Sequence, residues 1–138
     1  MGNKGKIKRK EPNKGLNIKL NNTGEQKIDY PVFCFRHLHP DYCLDTCQTE
    51  DREKLIERLY QLSKMSWQDI QLTNKHGFGS EKIKRESIKP AIPHQISEDV
   101  TFFLALRYSG KKPIVGYRNG AIFHLVYIDY NFTVYSHG

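Results

Sequence analysis

Apolar residues in this chain change their period along its length, and the changes mark its elements. Over Thr101–Gly138, three runs rich in Phe, Leu, Ile, Val and Tyr are interrupted by Ser109-Gly110-Lys111-Lys112 and by Asn119-Gly120. Short apolar runs bounded by glycine turns read as strands, and Asn-Gly is a strong short-range hairpin signal. An antiparallel meander follows, with strands at about 100–108, 113–118 and 121–129 and a last strand over Phe132–His137. A strict period of two sorts their side chains. Phe102, Leu104, Leu106 and Tyr108 share one face, opposite Phe103, Ala105 and Arg107. Ile122, His124, Val126 and Ile128 share one face, opposite Phe123, Leu125, Tyr127 and Asp129. Neither face is polar, so other packing must cover both.

Upstream the period is helical. Leu55, Ile56, Leu59 and Leu62 repeat at helical spacing. Thr49 is placed to cap this helix, with Glu50, Asp51 and Glu53 in the first turn, where the helix dipole favours acids. The helix should end near Lys64. Ser66-Trp67-Gln68-Asp69 resembles a capping box with Asp in place of Glu and opens a short second helix holding Trp67 and Ile70. His76-Gly77-Phe78-Gly79 is a flexible turn, after which Ser80 caps a third helical piece containing Ile83 and Ile88, stopped by Pro90 and Pro93. Pro31–Arg36 reads as a short first strand, followed by a polar loop from His37 to Cys47. The expected fold is α+β: an N-terminal strand and two or three helices packed on a C-terminal antiparallel β-meander.

Length and charge refine this picture. A chain of 138 residues with 38% hydrophobic content fits one domain with one core. Of the net charge of +7, residues 1–20 carry +6, from Lys4, Lys6, Lys8, Arg9, Lys10, Lys14 and Lys19 against Glu11, leaving +1 for the rest. Residues 1–26 have almost no apolar periodicity and read as a disordered basic tail, with 27–138 as a single α+β domain. Such a tail either binds polyanions without sequence preference, through Lys4, Lys6, Lys8, Arg9 and Lys10, or is a solvated leader. No run approaches the roughly 18 apolar residues of a membrane span, and no apolar signal core follows Met1, so a cytoplasmic protein off the membrane is expected. Lys6 breaks the myristoylation pattern, and three cysteines fit a reducing compartment.

Candidate chemistry lies on the meander. Arg107 and Arg118 sit beside tyrosines, and a guanidinium forks onto two phosphate oxygens. Each arginine alone also fits a side chain snorkelling off a strand end or pairing with Asp129. His124 is either a satisfied core imidazole or a general acid–base, and Tyr135 and His137, two apart, share a face if the last strand forms. Cys34, His37, His39, Cys43 and Cys47 fall close together; Cys34, His37, Cys43 and Cys47 offer a non-standard zinc set, or plain core positions. His76–Gly79 followed by Ser80 resembles an anion-binding loop without the P-loop Gly-Lys-Ser/Thr, or is a simple connector.

The element order, and the texture FLALRYSGKKPIVGYRNGAIFHLVYIDYNFTVYSH, resemble the RelE/ParE-type toxin fold over roughly residues 50–137. The family's two arginines and terminal aromatic or histidine would be Arg107, Arg118, Tyr135 and His137. The segments His76–Pro93 and 34–47 depart from its pattern. The chain also resembles small phage and plasmid proteins without known activity. The toxin resemblance implies a cofactor-free, metal-independent endoribonuclease that cuts mRNA, often on the ribosome, and that an antitoxin covers. Arg107 and Arg118 would then hold phosphate, His124 or His137 would transfer protons, and Tyr135 would stack a base or assist. Two other expectations stand beside it: a non-enzymatic mobile-element protein that binds a host protein through Arg and Tyr anchors, and a small zinc-binding nucleic-acid module.

Overall fold

A computed structural model describes residues 27–73 and 79–137. The basic tail, with Lys4, Lys6, Lys8, Arg9 and Lys10, lies outside the described residues, as do His76, Gly77 and Phe78 of the glycine turn. The elements run β1 (Val32–Cys34), α1 (Thr49–Ser63), α2 (Trp67–Leu72), β2 (Ser80–Lys84), a 3-10 turn (Arg85–Ser87), β3 (Phe102–Ser109), β4 (Lys112–Asn119) and β5 (Ile122–Ile128). They form one five-stranded sheet in the order β1-β5-β4-β3-β2, in which β1 is parallel to β5 and all other pairs are antiparallel. This is the α+β architecture expected from the sequence. Among the described residues, no helix is long and apolar enough to cross a membrane.

Both hairpins of the meander turn on glycine. Gly110 and Gly120 take φ of 59° and 62° at the first central position, with Lys111 and Ala121 at ordinary negative φ in the second. Positive φ at the first position alone is the II′ arrangement, whose twist matches the flanking strands. The Asn-Gly signal thus located the hairpin, with glycine rather than Asn119 entering the left-handed region.

The helices cover one face. Leu55, Leu59 and Leu62 of α1 and Trp67 and Ile70 of α2 bury against Leu104, Leu106, Tyr108, Ile114, Phe123, Leu125 and Ile128. Gln48, not Thr49, is the N-cap of α1, and its N–H donates to Asp51 at 3.3 Å. Ser66 caps α2 as expected, accepting from the Asp69 N–H at 3.0 Å. The Trp67 indole donates to the carbonyl of Ala121 at 2.9 Å, tying α2 to the β4–β5 turn.

The opposite face is covered by irregular chain. Ile88, Ile96, Val134 and Tyr135 pack onto Ile83, Phe103, Ala105, Val115, Val126 and Tyr127. Two segments supply this cover, residues 85–101 and 129–137, and the Lys89 N–H joins them by donating to Val134 O at 2.8 Å.

Three sequence expectations give way here. Ser80 starts a strand, not a helix, because β3 presents an open edge whose backbone groups need partners. Ile83, which pairs with Phe103, is the one buried residue of β2. Phe132–His137 is not a strand, because β1 and β2 already hold the two edges it would need. Strict alternation along β5 also fails. Val115 pairs with Tyr127 but Gly116 with Leu125, so Val126 is an extra, bulged residue. The bulge moves Tyr127 to the face of Val126 and returns Ile128 to that of Phe123 and Leu125. Gly116 sits opposite this bulge, where a Cβ would collide with the carbonyl oxygen of His124.

One buried carboxylate ties α1 to β3 and β4. Asp51 accepts from the Tyr108 hydroxyl and from Lys112 Nζ, each at 3.0 Å. Burial alone would raise its pKa, but the bonds from Lys112, Tyr108 and the Gln48 N–H outweigh burial and hold it below the usual carboxylate value. A carboxylate depressed in the folded state contributes stability above its unfolded pKa, and that contribution is lost as pH falls through the folded value. Asp51→Ala is therefore expected to lower stability at pH 7 by about 1–3 kcal/mol. Its loss should shrink towards acid pH, as read from urea unfolding at pH 7 and pH 3. An equal loss at both pH values would contradict this account.

Candidate functional site

The sequence nominated five meander residues, and the structure brings three of them together. Arg107, Tyr135 and His137 line one cleft of about 440 Å³, with Glu81, Lys111 and Phe132 on the same walls. The cleft lies on the face covered by irregular chain. Glu81 comes from β2, Arg107 from β3, Lys111 from the β3–β4 turn, and the other three from the C-terminal segment.

Asp129 holds that segment in place. Its carboxylate is fully buried directly after β5 and accepts from the backbone N–H of Thr133 at 2.8 Å and of Val134 at 3.2 Å. Its Oδ2 also lies 3.2 Å from Nε2 of His137. A carboxylate accepts, so Nε2 is the donor in this contact. The imidazole is fixed from both sides. It stacks on Tyr135 with ring centroids 3.9 Å apart and meets the Phe132 ring edge-on at 5.1 Å. Its side chain remains 24% exposed on the cleft.

Tyr135 shares this cleft with Glu81 of β2. Burial, then the negative charge of Glu81, pushes its phenol well above the ordinary value, with Arg107 opposing. Tyr135 therefore stays protonated and serves as a donor. The main chain of Arg107 is anchored from the other side of the sheet, where Arg58 Nη1 donates to its carbonyl at 2.5 Å. The cleft thus combines an oriented imidazole, a protonated phenol, a carboxylate and two cations.

Arg118 and His124 lie elsewhere. Arg107 pairs with Pro113, whereas Arg118 is five residues further along β4, about 17 Å at strand rise. Arg118 also turns to the helix side, with its guanidinium 4.4 Å over the Trp67 ring and Nε donating to Gly120 O at 2.7 Å. It clamps the β4–β5 turn onto α2 and cannot share a phosphate with Arg107. His124 stacks on Tyr117 at 4.6 Å, with His37 at 5.7 Å. Burial, then His37, lowers its pKa, and its buried Nδ1 has no hydrogen-bond partner.

The Cys/His segment runs along the outer edge of β5. The His39 N–H donates to Val126 O, and Tyr42 O accepts from the Ile128 N–H. Cys47 is in the helix-side core, with its thiol raised by burial and then by Asp51, and the Cys43 thiol donates to Pro40 O. Among the described residues no three His, Cys, Asp or Glu side chains are placed to share a metal, so Cys34, His37, Cys43 and Cys47 do not converge as the zinc alternative required.

Four residues that build the cleft are not evident from the sequence. Glu81 falls in the expected third helical piece, and Lys111 in a turn. Asp129 reads as an arginine partner, although an Asp that ends a strand is a recognised acceptor for backbone N–H groups in the following turn. Phe132 carried no signal.

No family model matches this chain, and no curated protein or solved structure is significantly similar to it.

Asp129→Ala should cost about 1–3 kcal/mol, the scale of hydrogen bonds to a charged group. Amide exchange localises the effect: protection should fall at Thr133 and Val134 while the β3–β4 ladder keeps its own. Uniform loss across the sheet would mean that Asp129 does not act on this segment.

Proposed function

We propose that this protein is an endoribonuclease, of the kind the RelE/ParE resemblance implies, with its site in the cleft of Arg107, Lys111, Tyr135 and His137. The observation that carries the reading is His137, held by buried Asp129 beside two cations that line the same cleft. RNA brings its own nucleophile, so the protein must position a phosphate, move protons and neutralise charge.

The residues divide that work. Nδ1 of His137 takes the proton of a 2′-hydroxyl, and Asp129 stabilises the imidazolium as a positioning residue. The 2′-oxygen attacks the adjacent phosphorus while the bond to the 5′-oxygen breaks. Arg107 and Lys111 neutralise the charge that builds on the phosphoryl oxygens. The Tyr135 phenol protonates the leaving 5′-oxygen and regains its proton from the neighbouring imidazolium. The products are a 2′,3′-cyclic phosphate and a free 5′-hydroxyl. Arg118 and His124 have no part in this scheme, which narrows the set drawn from the sequence. The basic tail adds general RNA affinity, the substrate is mRNA free or on the ribosome, and the setting is cytoplasmic, with an antitoxin-like partner over the cleft.

The test is mRNA integrity in a translating bacterial extract with added chelator. Wild type should generate fragments ending in 2′,3′-cyclic phosphate. His137→Asn should slow cleavage about 10²–10⁴-fold, and Arg107→Ala about 10²–10³-fold. Arg118→Ala should retain cleavage once corrected for folded fraction. Intact mRNA with wild type would remove the enzyme reading and leave a non-enzymatic protein that binds RNA or a host protein.

A further inference from the structure

We propose that Phe132 is a stacking platform for an unpaired nucleobase, so that the cleft takes single-stranded RNA in preference to duplex. The inference rests on the RNA reading above and goes beyond it in assigning the form of the substrate and a binding residue.

Two observations single out Phe132. Its φ is 60°, and it is the one non-glycine residue with positive φ among those described. Bulky side chains disfavour that region, which glycine and asparagine enter readily. The residue is also 41% exposed, so burial in the core does not offset the strained backbone. The turn itself does not call for an aromatic residue. Its geometry is imposed by Asp129, whose carboxylate collects the N–H groups of Thr133 and Val134 just beyond Phe132. A glycine or asparagine would serve that turn better. An exposed aromatic held in a conformation it disfavours points to a task performed outside the fold.

The surroundings identify the task. The ring lies perpendicular to His137 in the cleft that Arg107 and Lys111 also line. An exposed aromatic ring beside phosphate-binding cations is the combination that recognises single-stranded nucleic acid, where each base is free to leave its own stack. In a duplex the bases remain stacked and paired, and no face is offered to Phe132. Stacking is also tolerant of base identity, so weak sequence preference is expected.

The experiment uses the full chain, a fluorescently labelled single-stranded oligoribonucleotide and its duplex form, with anisotropy titration at physiological salt. Wild type, Phe132→Asn and Phe132→Trp all keep the basic tail, so differences between them report the cleft. Phe132→Asn is expected to weaken single-strand binding about 5–100-fold, the range of a single base stack, while its melting temperature stays level or rises. Phe132→Trp should retain binding, and its new indole should be quenched as RNA is added. Wild-type affinity in Phe132→Asn, or equal wild-type affinity for duplex and single strand, would overturn the inference and leave the nuclease reading standing. Failure of wild type to bind either RNA would remove the RNA reading and this inference together.

Discussion

The constraint on which the structure depends is that its sheet is apolar on both faces while its helices can cover only one. α1 and α2 fill the face of Leu104, Leu106, Ile114, Phe123 and Leu125. The other face, with Phe103, Ala105, Val115, Val126 and Tyr127, must be sealed by chain that has no regular hydrogen-bonding pattern of its own. Buried backbone in such chain needs other partners. The Asp129 carboxylate provides two of them and holds His137 as well. One buried acid thereby closes the second core layer and sets the orientation of the imidazole.

That coupling explains where the cleft lies. Residues 129–137 are not repetitive structure, so their side chains can project in directions that a strand would forbid. Tyr135 and His137 stack face to face at 3.9 Å because the segment curls. In the sheet, alternation along β3 turns Arg107 to the cleft and Tyr108 to Asp51 beneath α1, and the bulge at Val126 shifts Tyr127 to the face covered by irregular chain. Irregularity thus supplies both the cover and the site.

Much of the fold was legible because its signals are local. The period of α1, the Ser66 cap of α2 and the glycines at 110 and 120 each specify their element within a few residues. β2 was not legible, since one buried Ile83 among charged neighbours has no period and its pairing is decided by the open edge of β3. Nor were the faces of β5 beyond Val126, because a single inserted residue reverses every later assignment. The site divides along the same line. Arg107, Tyr135 and His137 could be picked out by chemistry, but so could Arg118 and His124, and nothing local says that Arg118 lies on Trp67 or that His124 stacks on Tyr117. Glu81 and Lys111 join the cleft only because the sheet and the C-terminal segment, distant in sequence, come together there.

The parallel pairing of β1 with β5 has a consequence for how the chain reaches this state. Val32 aligns with Ile122, so about two thirds of the chain lies between the partners. The meander needs only two-residue turns to close, whereas β1 has a three-residue ladder with which to offset a long loop closure. Loop-closure entropy therefore favours closing the meander before β1 docks, since β1 pairs with an edge that only β5 provides.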